Sequence, residues 1–120
     1  MPKTAQVLVI DDDRQILRLF TDILADGGIS VVAASSGKKA LDLLRTQAFK
    51  VVVVDLNMPN PDGFEVLRTL RSNAHRPRIV AVSGFMKGEL LKAADVLGAD
   101  ATLNKTDALE LLLPTVKNLL

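Results

Sequence analysis

The 120-residue sequence contains no cysteine, tryptophan or tyrosine, and its only aromatic side chains are four phenylalanines. Without cysteine, the chain cannot form a disulfide, a thiolate metal site or a cysteine nucleophile. This absence is consistent with a reducing cytoplasm, which is the location we expect. Fifteen basic and fourteen acidic residues nearly cancel. The charge balance therefore gives no reason to expect direct binding to nucleic acid or to a membrane surface.

Long apolar runs are also missing. The most hydrophobic stretches have the length of a strand and fall far short of the roughly 20 residues that cross a membrane, and the first residues lack an apolar signal segment. The length suits one domain, residues 1–120, which could be a stand-alone protein or part of a longer one. Hydrophobic residues make up 48% of the chain, and they predict one core of mainly aliphatic side chains.

Short apolar runs alternate with segments of helical apolar spacing along the whole chain. The predicted strands are 7–10, 30–34, 51–54, 78–82 and 101–103. A helix is predicted after each strand. Ser36 is a predicted N-cap, and Asp62 starts a predicted capping box. Pro114 predicts a kink or a late start in the last helix. Strands that alternate with helices predict an α/β fold with a parallel sheet covered on both faces.

Polar side chains follow four of the five predicted strands. They are those of Asp11, Asp12, Asp13, Asp55, Ser83 and Lys105. Because the carboxyl ends of parallel strands share one edge, where ligands bind in such sheets, we expect these side chains to converge.

The acidic residues predict a divalent cation. Two carboxylates about 4 Å apart repel by roughly 4 kcal/mol at an effective dielectric constant near 20, so the cluster needs a neutralising charge. Oxygen ligands without His or Cys favour Mg²⁺ or Ca²⁺ over zinc, and Mg²⁺ also accepts phosphate oxygens. The predicted ligands are Asp11, Asp12, Asp55 and the main-chain carbonyl of Asn57, whereas Asp13 could equally be a helix cap.

Asp55 is the predicted nucleophile. It follows four valines, and an ionised carboxylate beside Mg²⁺ can attack phosphorus to form an acyl phosphate. The metal, the Lys105 ammonium and the Ser83 hydroxyl would each neutralise one phosphoryl oxygen. Taken alone, Ser83 could simply end a strand and Lys105 could be a solvated surface residue. His75 is given no role.

At these residues the sequence resembles the receiver domain of response regulators over essentially its whole length. The resemblance rests on four segments in order: 7–13, 51–64, 81–84 and 98–105. It implies a flavodoxin-like, doubly wound sheet in the order 2-1-3-4-5. It also implies phosphotransfer to Asp55 from a sensor histidine kinase or a histidine phosphotransfer protein.

The resemblance further implies a role for each matching residue. Asp11 and Asp12 would hold Mg²⁺, Ser83 and Lys105 would bind the phosphoryl group, and Asn57 would lie beside the site. Such a domain is not a turnover enzyme, because it accepts and slowly releases its own phosphoryl group. Its downstream protein partner would bind the face formed by the fourth and fifth helices.

Two positions depart from the family pattern. The family usually has proline after the lysine, with a cis bond, but this chain has Thr106. A cis bond before threonine would cost about 2.5–4 kcal/mol, so the loop is either strained or trans. The family also often has an aromatic residue where this chain has Thr102, so an aromatic switch cannot operate there.

Three other readings are compatible with parts of the pattern. A pseudo-receiver would be an interaction module that phosphorylation does not regulate. Haloacid-dehalogenase-type phosphatases also use an aspartate nucleophile with Mg²⁺, but they need a second aspartate where this chain has Asn57. Flavodoxin-like FMN binding would need a phosphate loop after the first strand, where acids would repel phosphate.

Overall fold

The computed structural model describes residues 5–59, 63–72, 76–84, 92 and 98–120 of the chain. The strands are β1 (Val7–Ile10), β2 (Val31–Ala34), β3 (Val51–Asp55), β4 (Arg78–Ser83) and β5 (Ala101–Asn104). The helices of this described part are α1 (Arg14–Asp26), α2 (Gly37–Thr46), α3 (Gly63–Arg71) and the C-terminal helix (Lys105–Leu119). Apart from Lys92, the predicted fourth helix lies outside the described residues, as do Asp62 of the predicted capping box and His75.

All five strands pair in parallel, in the order β2-β1-β3-β4-β5. The predicted α/β class and the predicted strand order are therefore confirmed. β3 is central, and all of its residues are buried. Its four valines suit this position, because β-branched side chains pack well on a sheet that is covered on both faces.

Two hydrophobic clusters cover the two faces of the sheet. On β3, Val52 and Val54 pack with α2 and α3. Val51 and Val53 pack with α1 and the C-terminal helix. Successive side chains of a strand point to opposite faces, so one run of valines supplies both clusters. Burying each valine contributes about 1.5–3 kcal/mol, which makes this strand a main source of stability.

Side-chain caps fix the starts of two helices near the carboxyl edge of the sheet. Asp13 Oδ1 accepts hydrogen bonds from the amides of Gln15 at 2.9 Å and Ile16 at 3.3 Å. Ser36 Oγ accepts from the Lys39 amide at 3.1 Å. Asp13 is therefore the cap of α1, and the predicted cap at Ser36 is confirmed.

The C-terminal helix begins at Lys105, immediately after β5, and continues through Pro114. The predicted late start of this helix is wrong, whereas the alternative of a kink stays a prediction. Buried Ala108, Leu112 and Val116 on one helical face explain the early start, because their packing outweighs the hydrogen bond that proline removes. Among the described residues, no helix is both long and apolar enough to cross a membrane.

Candidate functional site

Two buried acids lie side by side at the carboxyl edge of the sheet. Asp55 is the last residue of β3, and Asp11 is the first residue after β1. The register pairs Ile10 with Val54, so the two acids follow paired positions on neighbouring strands. They are 1% and 2% exposed, for Asp11 and Asp55 respectively. Buried acids are costly unless they are paired, so their surroundings must supply positive charge.

Each of these carboxylates uses one oxygen in a local turn and leaves the other facing a cation. Asp11 Oδ1 accepts from the Asp13 amide at 2.9 Å, and Asp55 Oδ1 accepts from the Asn57 amide at 3.0 Å. The buried Oδ2 atoms of both acids receive no well-aligned hydrogen bond. They form ion pairs with Lys105 Nζ at 3.1 Å from Asp11 and 3.4 Å from Asp55.

Lys105 reaches the acids from the start of the C-terminal helix. Its side chain is 21% exposed. Burial acts to lower the pKa of Lys105, but the charges of Asp55 and Asp11 outweigh burial and hold this pKa above its ordinary value. The ammonium therefore stays protonated at neutral pH. One positive charge thus bridges two buried negative charges.

The ionised form of Asp11 is less favoured in the folded protein than in water. Burial, the largest cause, raises its pKa to about 6, and the nearby charge of Asp55 acts in the same direction. The Asp13 amide and Lys105 oppose this rise without cancelling it. A second cation beside Asp11 would stabilise its ionised form, because one ammonium does not fully compensate two buried acids.

A third acid completes a group that fits a divalent metal. Carboxylate oxygens of Asp11, Asp12 and Asp55 all lie within 4.8 Å of one another. Asp12 is exposed, whereas the other two are buried. Three carboxylates with an open side toward solvent suit Mg²⁺, which prefers oxygen ligands and keeps some of its waters. The buried Oδ2 atoms of Asp11 and Asp55, which share one lysine as their cation, agree with this fit.

The side chain of Asn57 connects the acids to the end of β4. Ser83, the last residue of β4, is fully buried. Its hydroxyl donates to Asn57 Oδ1 at 3.0 Å, and the Gly84 amide donates to the same oxygen at 3.3 Å. A Cβ atom on Gly84 would lie 3.2 Å from Lys105 Cδ, so the lysine stem packs over this glycine. The hydroxyl, the amide and the ammonium therefore belong to one contact network.

The structure places the predicted site residues at one edge of the sheet. Lys105 contacts Asp11 and Asp55 directly, although Thr106 replaces the usual proline. The preceding Asn104 has an ordinary extended backbone. The metal and phosphoryl-binding roles of these residues stay predictions, as does that of the Asn57 main-chain carbonyl.

Two features of the site have no counterpart among the sequence predictions. The first is the Asn57 side chain. Its oxygen accepts hydrogen bonds from Ser83 and Gly84, which lie 26 and 27 positions later in the sequence. The second is Gly63, the first residue of α3. A Cβ atom there would overlap the Asp55 carbonyl oxygen. An Asp-Gly pair before a helical pattern was the available signal, but it indicates only a helix start.

In comparisons with known proteins, the family model and the curated relatives all point to response regulators. The family model described as "Response regulator receiver domain" matches residues 7–117. The chain is 39% identical over 116 residues to response regulator MprA of Mycolicibacterium vanbaalenii, covering 96% of this chain and 50% of that protein. It is 36% identical over 118 residues to MprA of Mycobacterium bovis, covering 98% and 51% respectively. The chain thus spans about half the length of the curated relatives it matches.

Solved structures agree with these sequence matches. The receiver domain of Francisella response regulator 1452 is 30% identical, with a TM-score of 0.89 and coverage of 97% of this chain and 96% of that one. Chemotaxis protein CheY4 of Vibrio cholerae is 29% identical, with a TM-score of 0.88 and coverage of 98% and 100%. With the family model matching most of its length, the chain belongs to the response regulator receiver domain family.

Proposed function

We propose that this receiver domain accepts a phosphoryl group on Asp55 with the help of Mg²⁺. The donor would be a sensor histidine kinase or a histidine phosphotransfer protein. The proposal is carried by one observation: Asp55 shares a single lysine with a second buried acid, and a third carboxylate lies within 4.8 Å of both. Such a site is short of positive charge, and it can supply a carboxylate nucleophile.

The residues of the chain would divide the work of the transfer. An Asp55 oxygen forms a bond to phosphorus as the bond from phosphorus to the donor's leaving atom breaks. Lys105 and Ser83 bind phosphoryl oxygens and stabilise the charge that spreads over them. A Mg²⁺ ion held by Asp11, Asp12, Asp55 and the Asn57 carbonyl would supply further neutralisation. The product is a modified side chain, so no small-molecule substrate is turned over.

Output to a downstream protein stays a prediction. The expected face combines the predicted fourth helix, which apart from Lys92 lies outside the described residues, with the C-terminal helix. Thr102 lies on β5 and is partly buried, and it offers no ring that could rotate between two positions. Phosphorylation would therefore shift the conformation mainly through the residues that contact the phosphoryl group.

The phosphoacceptor assignment can be tested by intact mass. Acetyl phosphate with Mg²⁺ is expected to add one phosphoryl group to the native chain, and EDTA is expected to prevent the addition. Asp55→Asn keeps the shape of the side chain but removes the nucleophile, so it should gain nothing. Asp42→Asn changes an exposed acid on α2, and it should react like the native chain.

Two results would refute the phosphoacceptor assignment. One is an unmodified native chain under all donor and metal conditions, which would favour the pseudo-receiver. The other is an undiminished adduct on Asp55→Asn, which would place the modification elsewhere.

Mg²⁺ affinity is expected to fall roughly tenfold between about pH 7.5 and about pH 5. Asp11 must be ionised to bind the metal, and its pKa is raised to about 6 in the metal-free protein. A raised carboxyl pKa means that the folded protein holds this proton more tightly. Protons therefore begin to displace Mg²⁺ as pH falls through about 6, well above the ordinary aspartate range.

Isothermal titration at constant ionic strength would measure this dependence. Asp11→Asn should bind Mg²⁺ more weakly than the native chain and should lose most of the pH effect in this range. Equal native affinity at both pH values would contradict the assignment of Asp11 as a ligand.

A further inference from the structure

Asn57 makes hydrogen bonds both to the proposed nucleophile, Asp55, and to the end of β4 at Ser83 and Gly84. Its main-chain amide donates to Asp55 Oδ1 at 3.0 Å. Its side-chain oxygen accepts from the Ser83 hydroxyl at 3.0 Å and from the Gly84 amide at 3.3 Å. The same residue is therefore attached to β3 through its backbone and to the end of β4 through its amide group.

We propose that the Asn57 side chain is a positioning residue that holds the end of β4 in the resting arrangement. This inference rests on the proposed phosphorylation of Asp55. In the structure, Asn57 Oδ1 accepts hydrogen bonds from the Ser83 hydroxyl and the Gly84 amide. On this proposal, phosphorylation draws the Ser83 hydroxyl away from Asn57 toward a phosphoryl oxygen, and the adjacent Gly84 amide moves with it.

The competition follows from the donors' chemistry. A serine hydroxyl has one hydrogen to donate, and so has a backbone amide. Ser83 therefore cannot donate fully to Asn57 and to a phosphoryl oxygen at the same time. The hydrogen bonds that stabilise the resting state are lost when the phosphoryl group binds, so they lower the apparent affinity for it.

Lys105 would take part in the release. Its stem packs over Gly84, with Cδ 3.2 Å from the position that a Cβ atom would occupy. Its ammonium is bound to Asp55 Oδ2 at 3.4 Å. A phosphoryl group that drew the ammonium toward itself would also move the stem that rests on Gly84. Such a movement would weaken the Gly84 bond to Asn57 as the lysine engages the phosphoryl group.

The test uses beryllofluoride with Mg²⁺, a non-covalent mimic of the phosphoryl group, on the full chain. Asn57→Ala removes the competing acceptor and is expected to tighten beryllofluoride binding roughly tenfold. A merely structural role for Asn57 would weaken binding, so the direction of the change separates the two roles. Asn57→Leu keeps most of the volume without an acceptor and should act in the same direction. Asn118→Ala, at an exposed site on the C-terminal helix, should change nothing.

A double-mutant cycle with Ser83→Ala identifies the bond that is responsible. Without the hydroxyl, Asn57→Ala should tighten binding by only about threefold, because only the Gly84 amide remains to be released. An equal gain in both backgrounds would overturn the proposed competition for Ser83.

The outcomes also separate this inference from the phosphoacceptor assignment. A native chain that forms the Asp55 adduct, while Asn57→Ala binds beryllofluoride equally or more weakly, overturns the positioning role alone. A native chain that forms no adduct and binds no beryllofluoride overturns both.

Discussion

Replacing Gly63 with alanine is expected to destabilise the protein by about 3 kcal/mol. The new Cβ atom would overlap the Asp55 carbonyl oxygen, and it would lie 2.7 Å from Leu56 Cα and 2.9 Å from the Asp55 carbonyl carbon. All of these are backbone atoms, so no side-chain rotation can relieve the contact. The start of α3 would have to move away from the end of β3. Urea denaturation monitored by circular dichroism would measure the loss.

Gly27→Ala is the matched control for this prediction. A Cβ atom on Gly27 would meet only the end of the Leu113 side chain, with Cδ1 at 2.5 Å. That side chain can change its rotamer, so we expect a loss of about 1 kcal/mol or less. If Gly63→Ala were no more harmful than this control, the close approach of α3 to β3 would be wrong. The Gly63 variant should also react more slowly with acetyl phosphate, since the displaced backbone carries the Asp55 side chain.

Replacing Lys105 with methionine is expected to cost the metal-free protein about 2 kcal/mol at neutral pH. Methionine keeps an unbranched stem over Gly84 but removes the charge that pairs with Asp11 and Asp55. The two buried acids would then face each other without compensation. Saturating Mg²⁺ should recover most of the loss, because the metal supplies the missing positive charge. Adduct formation should still slow by roughly a hundredfold if Lys105 is a donor to the phosphoryl group, as proposed above.

The pH dependence of this loss has a defined sign. Asp11 already has a pKa raised to about 6, and Lys105 is one of the groups that hold it down. Removing Lys105 raises that pKa further. The loss of stability in Lys105→Met is therefore full above the pKa that Asp11 has in the folded variant, where this acid is ionised. The loss shrinks as pH falls through that pKa, because Asp11 becomes protonated and neutral.

Denaturation in EDTA and in Mg²⁺ at several pH values would measure the Lys105→Met effects. Lys117→Met, at an exposed position on the same helix, should leave stability unchanged in both media. Two results would contradict the proposed charge balance at the site. One is a native-like stability of Lys105→Met in EDTA, and the other is a loss that Mg²⁺ does not alter.

The alternation of strands and helices could be predicted because its signals are local, whereas the order of the strands in the sheet was implied by the family resemblance. Residues 51–54 are four consecutive valines, and such a run is typical of a strand that is buried on both faces. Acids directly after two strands then predict a polar edge, since parallel strands end together. Among the described residues, the differences lie at element ends. β3, β4 and β5 each extend one residue beyond their predicted limits, to Asp55, Ser83 and Asn104, because pairing with neighbouring strands continues through polar residues. β2 begins one residue later than predicted, at Val31.

The details of the site depend on contacts between distant segments, which no local pattern records. The bond from Ser83 to Asn57 joins the ends of two strands, and the sequence shows only that both residues are polar. The contact of Gly63 with the Asp55 backbone depends on the packing angle of α3. The start of the C-terminal helix at Lys105 depends on the burial of Ala108 and Leu112 against the sheet. Each of these features is decided by tertiary packing.

The alternation of side chains along the strands has a consequence for the polar edge. Asp55 continues the series of Val51 and Val53, which faces α1 and the C-terminal helix. Ser83 continues the series of Ile79 and Ala81, which faces α2 and α3. A small anion that touches both Ser83 and Lys105 would therefore bridge the two helical layers that the sheet otherwise keeps apart.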